Sequence, residues 1–321
     1  MIQQVAILGC GLIGSSWATF FASQGLRTLV YDIDPDVQRR GVETVGRQLD
    51  AMARHGLMTD DNVSLARTNV VPVTSLADLL ERSDYVQESV LEDYDVKADV
   101  YRRMEPHLSV KAIIASSSSG LLMSRMQRAL DHPERALIAH PFNPPHLIPL
   151  VELVPGDGTS DATVESIREF FVRLGKRPVV LKKEVPGHIA NRLAAAVWRE
   201  ALALLDDDVA SLSDIDAALC NGPGLRWALM GQHLIYDLGG GPGGYERFIN
   251  TIGGSFSSYW RDMDAWSEIP ESAKAKAIAG IAEPLQRRSR DEWIAWRDEK
   301  LMGLLRLLNA DDAVDESEAT A

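Results

Sequence analysis

Residues 4–14 read Gln4-Val5-Ala6-Ile7-Leu8-Gly9-Cys10-Gly11-Leu12-Ile13-Gly14, and residues 28–32 read Thr28-Leu29-Val30-Tyr31-Asp32. The first stretch is a short apolar run followed at once by three glycines. Apolar residues Leu12, Trp17, Phe20 and Phe21 then recur at near-helical spacing. Strand, glycine turn, helix and second strand make one βαβ unit. Each glycine has a physical job in such a unit. Gly9 permits the tight turn, Gly11 lets the backbone approach a pyrophosphate, and Gly14 lets the helix pack close to the strand. The helix start, with Leu12 and Ile13, presents free N–H groups and partial positive charge to phosphates.

An acid belongs at the end of the second strand, where it can accept hydrogen bonds from ribose hydroxyls. Asp32 stands there. Its charge repels a 2′-phosphate, so the expected cofactor is NAD. A helix cap or loop-end role for Asp32 is the alternative. Moving outward, a long amphipathic helix is expected over 35–56. Short strands are expected at 69–72, 84–88, 112–115, 136–139, 148–153 and 177–182, with helices between most of them. That alternation predicts an α/β fold with a Rossmann-type, doubly wound, mostly parallel sheet. After Pro186-Gly187 the pattern becomes helical, so an all-helical C-terminal domain is expected. The expected divisions are 1–185 for the NAD-binding domain, 186–310 for a helical substrate and dimerisation domain, and 311–321 for an acidic disordered tail. Gly239–Gly244 reads as a tight turn between helices.

Composition narrows the function. The 321 residues carry a formal net charge of −13, with 45% hydrophobic and 25% charged residues. An acidic surface repels nucleic acid and anionic lipid, so neither is an expected partner. There is no run of eighteen or more apolar residues and no basic leader, so no membrane span or signal peptide is expected. Cys10 and Cys220 are the two cysteines. They exclude a disulfide framework and suit a reducing, cytoplasmic setting. Nothing reads as a metal site.

Three downstream features carry chemistry. Ser116–Ser119 follows an apolar strand, at the end where parallel sheets place ligands; an N-cap cluster reads equally well. His140 ends another strand-like run, and Glu152 lies inside the apolar run 147–155. A lone carboxylate there is costly unless paired. A histidine is a sensible partner, since the carboxylate would fix its tautomer and raise its basicity. Six other histidines are present, and a purely structural His140 stays open. Asn191 follows the Pro186-Gly187 break, where it could complete a cleft or simply cap a helix. Arg192, Arg199 and Arg226 are candidate partners for a substrate carboxylate, or ordinary surface ion pairs. Trp198, Trp227, Tyr245, Phe248 and Trp260 could face a quaternary ammonium, or form core.

Residues 9–14 (GCGLIG), 31–34 (YDID), 87–97 (QESVLEDYDVK), 115–121 (ASSSSGL), 140–154 (HPFNPPHLIPLVELV) and 183–193 (KEVPGHIANRL) together resemble the 3-hydroxyacyl-CoA dehydrogenase family. The resemblance implies catalytic roles for Ser119, His140, Glu152 and Asn191. It implies cofactor contacts for Glu92, Lys97 and Asn143, and a homodimer through the helical domain. The HPFNPP form, with residues 198–202 and 222–227, resembles the short-substrate branch of carnitine dehydrogenases, while residues 296–302 resemble its gulonate dehydrogenases. The implied activity is NAD-dependent oxidation of a small L-3-hydroxy acid. A (S)-3-hydroxyacyl-CoA dehydrogenase is the alternative, and a non-catalytic, crystallin-like NAD-binding protein is the alternative of another class.

Overall fold

The computed structural model describes residues 2–308 with their side chains and follows the backbone of the last helix to Glu318; of the acidic tail expected over 311–321, the backbone to Glu318 is helical and 319–321 lie outside the described residues. The first elements are β1 (Gln4–Leu8), α1 (Leu12–Ser23), β2 (Arg27–Tyr31), α2 (Pro35–Arg54), α3 (Asp60–Asn69), β3 (Val70–Pro72), α4 (Leu76–Leu80) and β4 (Tyr85–Glu88). Then come α5 (Tyr94–Met104), β5 (Ile113–Ser116), α6 (Met123–Met126), β6 (Ala136–Pro141), β7 (Leu150–Pro155), α7 (Asp161–Arg173), β8 (Arg177–Val180) and α8 (Ala190–Asp206). The eight strands form one sheet in the order β3-β2-β1-β4-β5-β6-β7-β8. Every pairing is parallel except β6 with β7. Helix α3 was not anticipated. Its sequence is mostly polar and buries only Val63 and Ala66, so its apolar stripe is too thin to read.

The sheet is sandwiched, and strand alternation decides which face each residue serves. Val5 and Ile7 of β1 join a cluster with Trp17, Phe21, Tyr85, Phe170 and Phe171. Ala6 and Leu8 join the opposite cluster with Leu79, Leu80, Tyr101 and Met104. Capping sets the helix starts. Asp34 caps α2, where Pro35 takes the first turn; Asp93 caps α5 and Ser160 caps α7. No side chain caps α1, whose first residue follows Gly11. The strand order reverses beside β1, which lies between β2 and β4, so a crevice opens at the C-terminal ends of β1 and β4.

The chain divides into two compact units, Met1–Asn191 with Asp298–Leu307, and Arg192–Arg297 with Leu308–Ala321. In the first unit Met302 packs with Met52 and Leu147. The second unit continues α8 through α9 (Leu212–Asn221), α10 (Pro223–Trp227), α11 (Gln232–Gly239), α12 (Gly244–Asp262), α13 (Glu271–Gly280), α14 (Ala282–Arg287) and the first turns of α15 (Arg290–Glu318). The run Gly239–Gly244 is a tight helix–helix connection, in which Asp237 accepts from the Tyr245 amide at 2.8 Å. Among the described residues, no helix is long and apolar enough to cross a membrane.

Candidate active site

The glycine loop fits a dinucleotide for reasons visible in its packing. A Cβ on Gly14 would stand 1.8 Å from the Gly9 carbonyl oxygen, so only glycine lets α1 lie so close to β1. Gly9 takes φ +94°, and a Cβ there would meet the Ser89 carbonyl oxygen at 2.7 Å. Gly11 is different, because a Cβ would meet nothing within 4 Å. Protein packing alone does not demand glycine there, and the bare backbone leaves open space in which a ligand could lie close. The uncapped α1 N-terminus beside it leaves N–H groups for phosphate oxygens. Asp32 receives the Cys10 amide on Oδ2 at 2.8 Å and the Asp34 amide on Oδ1 at 3.0 Å. Each oxygen keeps a further lone pair for a ribose hydroxyl. Ile33 and Leu91, 73% and 71% exposed, rim an apolar slot at this crevice that suits a flat base. Burial, then the Asp32 charge, pushes the Cys10 thiol up to about 12, so it stays a neutral filler.

A second cleft in the same unit is lined by Ile13, Glu92, Ser119, His140, Asn143 and Asn191. His140 and Glu152 face each other across the antiparallel β6–β7 pair. His140 Nδ1 meets Glu152 Oε2 at 2.9 Å. A carboxylate only accepts, so Nδ1 carries the hydrogen and Nε2 keeps a lone pair. Glu152 Oε1 accepts the Ile189 and Ala190 amides at 2.8 and 3.0 Å. Burial works to raise the Glu152 pKa, but the His140 bond and the two amides outweigh it and hold it below the usual range. The carboxylate is therefore charged, and it can stabilise an imidazolium at His140.

The other expected residues fall as follows. Ser119 Oγ donates to Glu92 Oε2 at 2.8 Å, while Glu92 Oε1 takes the Ser118 hydroxyl and the Ser119 and Gly120 amides. Burial opposes that charge. The Gly120 amide, the Ser118 and Ser119 hydroxyls and the Ser119 amide prevail, and hold Glu92 at about 2. Glu92 thus clamps the serine loop. Lys97 is 1% exposed and its ammonium lies 2.6 Å from Glu88 Oε1, so its charge is directed at Glu88 rather than at open space. Arg192, Arg199 and Arg226 belong to the second unit, where Arg199 donates to the Trp266 carbonyl at 3.3 Å. Of the aromatic candidates, Phe248 and Trp260 both touch Phe256, and Trp198 and Trp227 are exposed.

Sequence reading missed the supports. Glu88 collects Lys97, the Val90 amide at 2.7 Å, Ser116 Oγ at 2.8 Å and Tyr101 Oη at 3.1 Å. Its signal was a carboxylate at the end of an apolar strand, as for Asp32. His188 lies behind His140 and carried no signal. Lys176 was also unforeseen: it donates to the carbonyls of Pro145 and Ile148 and lies 4.2 Å from the Phe20 ring centre. It thereby holds the turn after Asn143. Burial lowers its pKa to about 7. The folded value is depressed below the unfolded one, so the unfolded chain binds the extra proton between about pH 7 and 10.5, and stability contributed here rises with pH across that window. We expect urea unfolding of the wild type to gain stability from pH 7 to 9 relative to Lys176→Met, by up to about 1.4 kcal/mol per pH unit. Parallel profiles for the two proteins would remove Lys176 from the balance.

Comparison with known proteins adds three findings. Residues 4–185 match the family model "3-hydroxyacyl-CoA dehydrogenase, NAD binding domain", and residues 187–278 match "3-hydroxyacyl-CoA dehydrogenase, C-terminal domain". An L-carnitine dehydrogenase from Pseudomonas sp. is 36% identical over 312 residues, covering 97% of this chain and 96% of that one. Among solved structures, 5-formyl-3-hydroxy-2-methylpyridine 4-carboxylic acid 5-dehydrogenase, an NAD+-dependent dismutase, superposes with TM-score 0.83 at 30% identity, covering 96% of this chain and 99% of that one. The (S)-3-hydroxybutyryl-CoA dehydrogenase from Ralstonia eutropha gives TM-score 0.65 at 28% identity, over 80% and 89%.

Proposed function

The chain belongs to the 3-hydroxyacyl-CoA dehydrogenase family, and from that premise we propose that it oxidises the 3-hydroxyl of a small L-3-hydroxy acid, carnitine- or gulonate-like, to the 3-keto acid with NAD. The observation that carries the reading is the charged Glu152 holding His140 Nδ1–H, which leaves Nε2 free as the base in a cleft shared with Ser119 and Asn191. NAD, when bound over Gly9–Gly14 with Asp32 on its ribose, supplies the hydride acceptor. His140 Nε2 takes the hydroxyl proton, and Glu152 stabilises the imidazolium that results. Ser119 and Asn191 hold the substrate oxygen while it becomes a carbonyl. Glu92 takes the Ser119 hydrogen in the structure, so Ser119 turns its hydroxyl from Glu92 to the substrate oxygen in order to donate to it. Glu92 and Lys97 act on the site through the loops they hold, and Asn143 sits at its rim.

The full-length similarity to L-carnitine dehydrogenases supports a free acid over a CoA ester. Among the described residues lining the His140 cleft, Lys97 is the one cation, and it is paired. Arg192, Arg199 and Arg226 are proposed as carboxylate partners. The solved dismutase supports a second reading, a carboxylated aromatic aldehyde. Exposed Trp198, Leu225, Leu229, Ile252 and Trp260 in the second unit support a homodimer, which sedimentation would read. A cytoplasmic setting suits the free thiols of Cys10 and Cys220.

The test is NADH formation by purified protein with L-carnitine, L-gulonate, L-3-hydroxybutyrate, (S)-3-hydroxybutyryl-CoA and the pyridine aldehyde acid. Turnover of a free hydroxy acid supports the proposal. Turnover of only the CoA ester, or only the aldehyde, replaces it. Silence on all, with NAD still bound, favours the non-catalytic reading. For the cofactor, Asp32→Ser is expected to raise the KM for NAD about tenfold and to narrow the preference over NADP, with kcat within about threefold. An unchanged NAD-to-NADP ratio would reduce Asp32 to a cap for the Cys10 amide.

A further inference from the structure

A second imidazole stands behind the first. His188 is 1% exposed, and its ring centre lies 5.0 Å from that of His140. His188 Nε2 meets the Ser118 carbonyl oxygen at 3.1 Å. A carbonyl only accepts, so Nε2 carries the hydrogen and Nδ1 bears a lone pair. That Nδ1 is buried with no hydrogen-bond partner. A proton there would sit on a buried nitrogen with no hydrogen-bond acceptor to receive it.

The backbone at this point is strained. His188 takes φ +51°, the left-handed region that few residues other than glycine enter. Such a conformation persists only where its surroundings fix it. Two contacts do so here. The ring is tied to the serine loop through Ser118, and the next two amides, of Ile189 and Ala190, are aimed at Glu152 Oε1. The charged and titratable groups facing His188 are His140 from β6, Glu152 from β7 and Glu92 from the loop after β4. Burial, the largest influence, and the neighbouring His140 disfavour a charge on it, and they outweigh the Ser118 carbonyl, Glu152 and Glu92, which favour one.

We infer that His188 is a positioning residue for this site: a neutral imidazole that locks the serine loop to the turn holding Glu152, and leaves His140 as the imidazole that takes the proton. This rests on reading His140 as the base. If His188 also charged, an imidazolium beside protonated His140 would oppose the very proton transfer that oxidation requires.

Two measurements test it. In the wild-type protein with 15N-labelled histidine, the His188 ring, identified by its loss in His188→Gln, should show the Nε2–H tautomer. It should not take up a proton in the range where an unperturbed histidine does, because burial lowers its pKa. This result does not depend on the substrate, so it survives failure of the proposed activity. A titrating ring, or the Nδ1–H tautomer, overturns the inference. In kinetics, His188→Phe keeps the ring volume without the donor, and His188→Gln restores a donor near Nε2. We expect kcat to fall about tenfold to a hundredfold in the Phe variant, with KM for NAD within about twofold, and to recover to within about threefold in the Gln variant. Equal losses in both, or no loss in the Phe variant, overturn it. Should the Phe variant fail to fold, the tautomer measurement on the wild-type chain decides.

Discussion

His140→Gln is expected to lower kcat about a thousandfold, with NAD affinity within about twofold of wild type. The glutamine fills similar space at the cleft but has no lone pair basic enough to take the hydroxyl proton. Since the glycine loop and Asp32, proposed to hold the dinucleotide, line a different cleft of the first unit from His140, cofactor binding should not follow the loss. Glu152→Gln should cost about a hundredfold. It keeps the shape and a carbonyl for Nδ1–H, but no longer offsets the imidazolium. With that one carbonyl turned to Nδ1–H, it meets the Ile189 and Ala190 amides with an opposed NH2 group. Steady-state rates at saturating NAD, with NAD titrated by fluorescence, check both. More than a tenth of wild-type activity in His140→Gln would place the base elsewhere.

Lys97→Met is expected to destabilise the first unit strongly, because it removes a buried charge from a buried pair. Lys97 and Glu88 are 1% and 0% exposed, with N and O 2.6 Å apart. Removing the ammonium leaves a carboxylate in the sheet with hydrogen bonds but no countercharge. Such breaks cost about 3–5 kcal/mol, a large part of the roughly 5–15 kcal/mol that holds a typical protein folded. The thermal midpoint should drop by about 10 °C. Glu88→Gln combined with Lys97→Met should recover most of that loss, because the amide removes the orphaned charge while Tyr101 and Ser116 still find a polar partner. The double variant unfolding no later than Lys97→Met would show that packing, not charge, is the main term.

These two predictions differ in how far the sequence alone supports them. His140 and Glu152 could be singled out from the chain: one ends a strand-like run, and the other is a carboxylate among apolar residues. Glu88 and Lys97 could not be paired in advance, since nothing local says that α5 lays its lysine under the end of β4. Asn191 was an ambiguous polar residue until the cleft gathered it with His140 and Ser119. Ser119 follows the strand end where the sequence put it, while its hydrogen bond to Glu92, a residue expected at the cofactor, carried no local signal.

By itself the sequence determined the dinucleotide loop, its acid, the alternation of strand and helix and the change to a helical second part. All of these follow from local backbone physics. Glycine at positive φ, a cap at a helix start and a period of two along a strand each act within a few residues. Only the tertiary structure decided the register that sets His140 opposite Glu152, the delivery of the Ile189 and Ala190 amides to that carboxylate, the Lys97–Glu88 pair and the position of His188 behind the base. Those contacts depend on which strands become neighbours. That is fixed by how the two faces of one sheet bury their side chains together, across separations in the chain that no local pattern records.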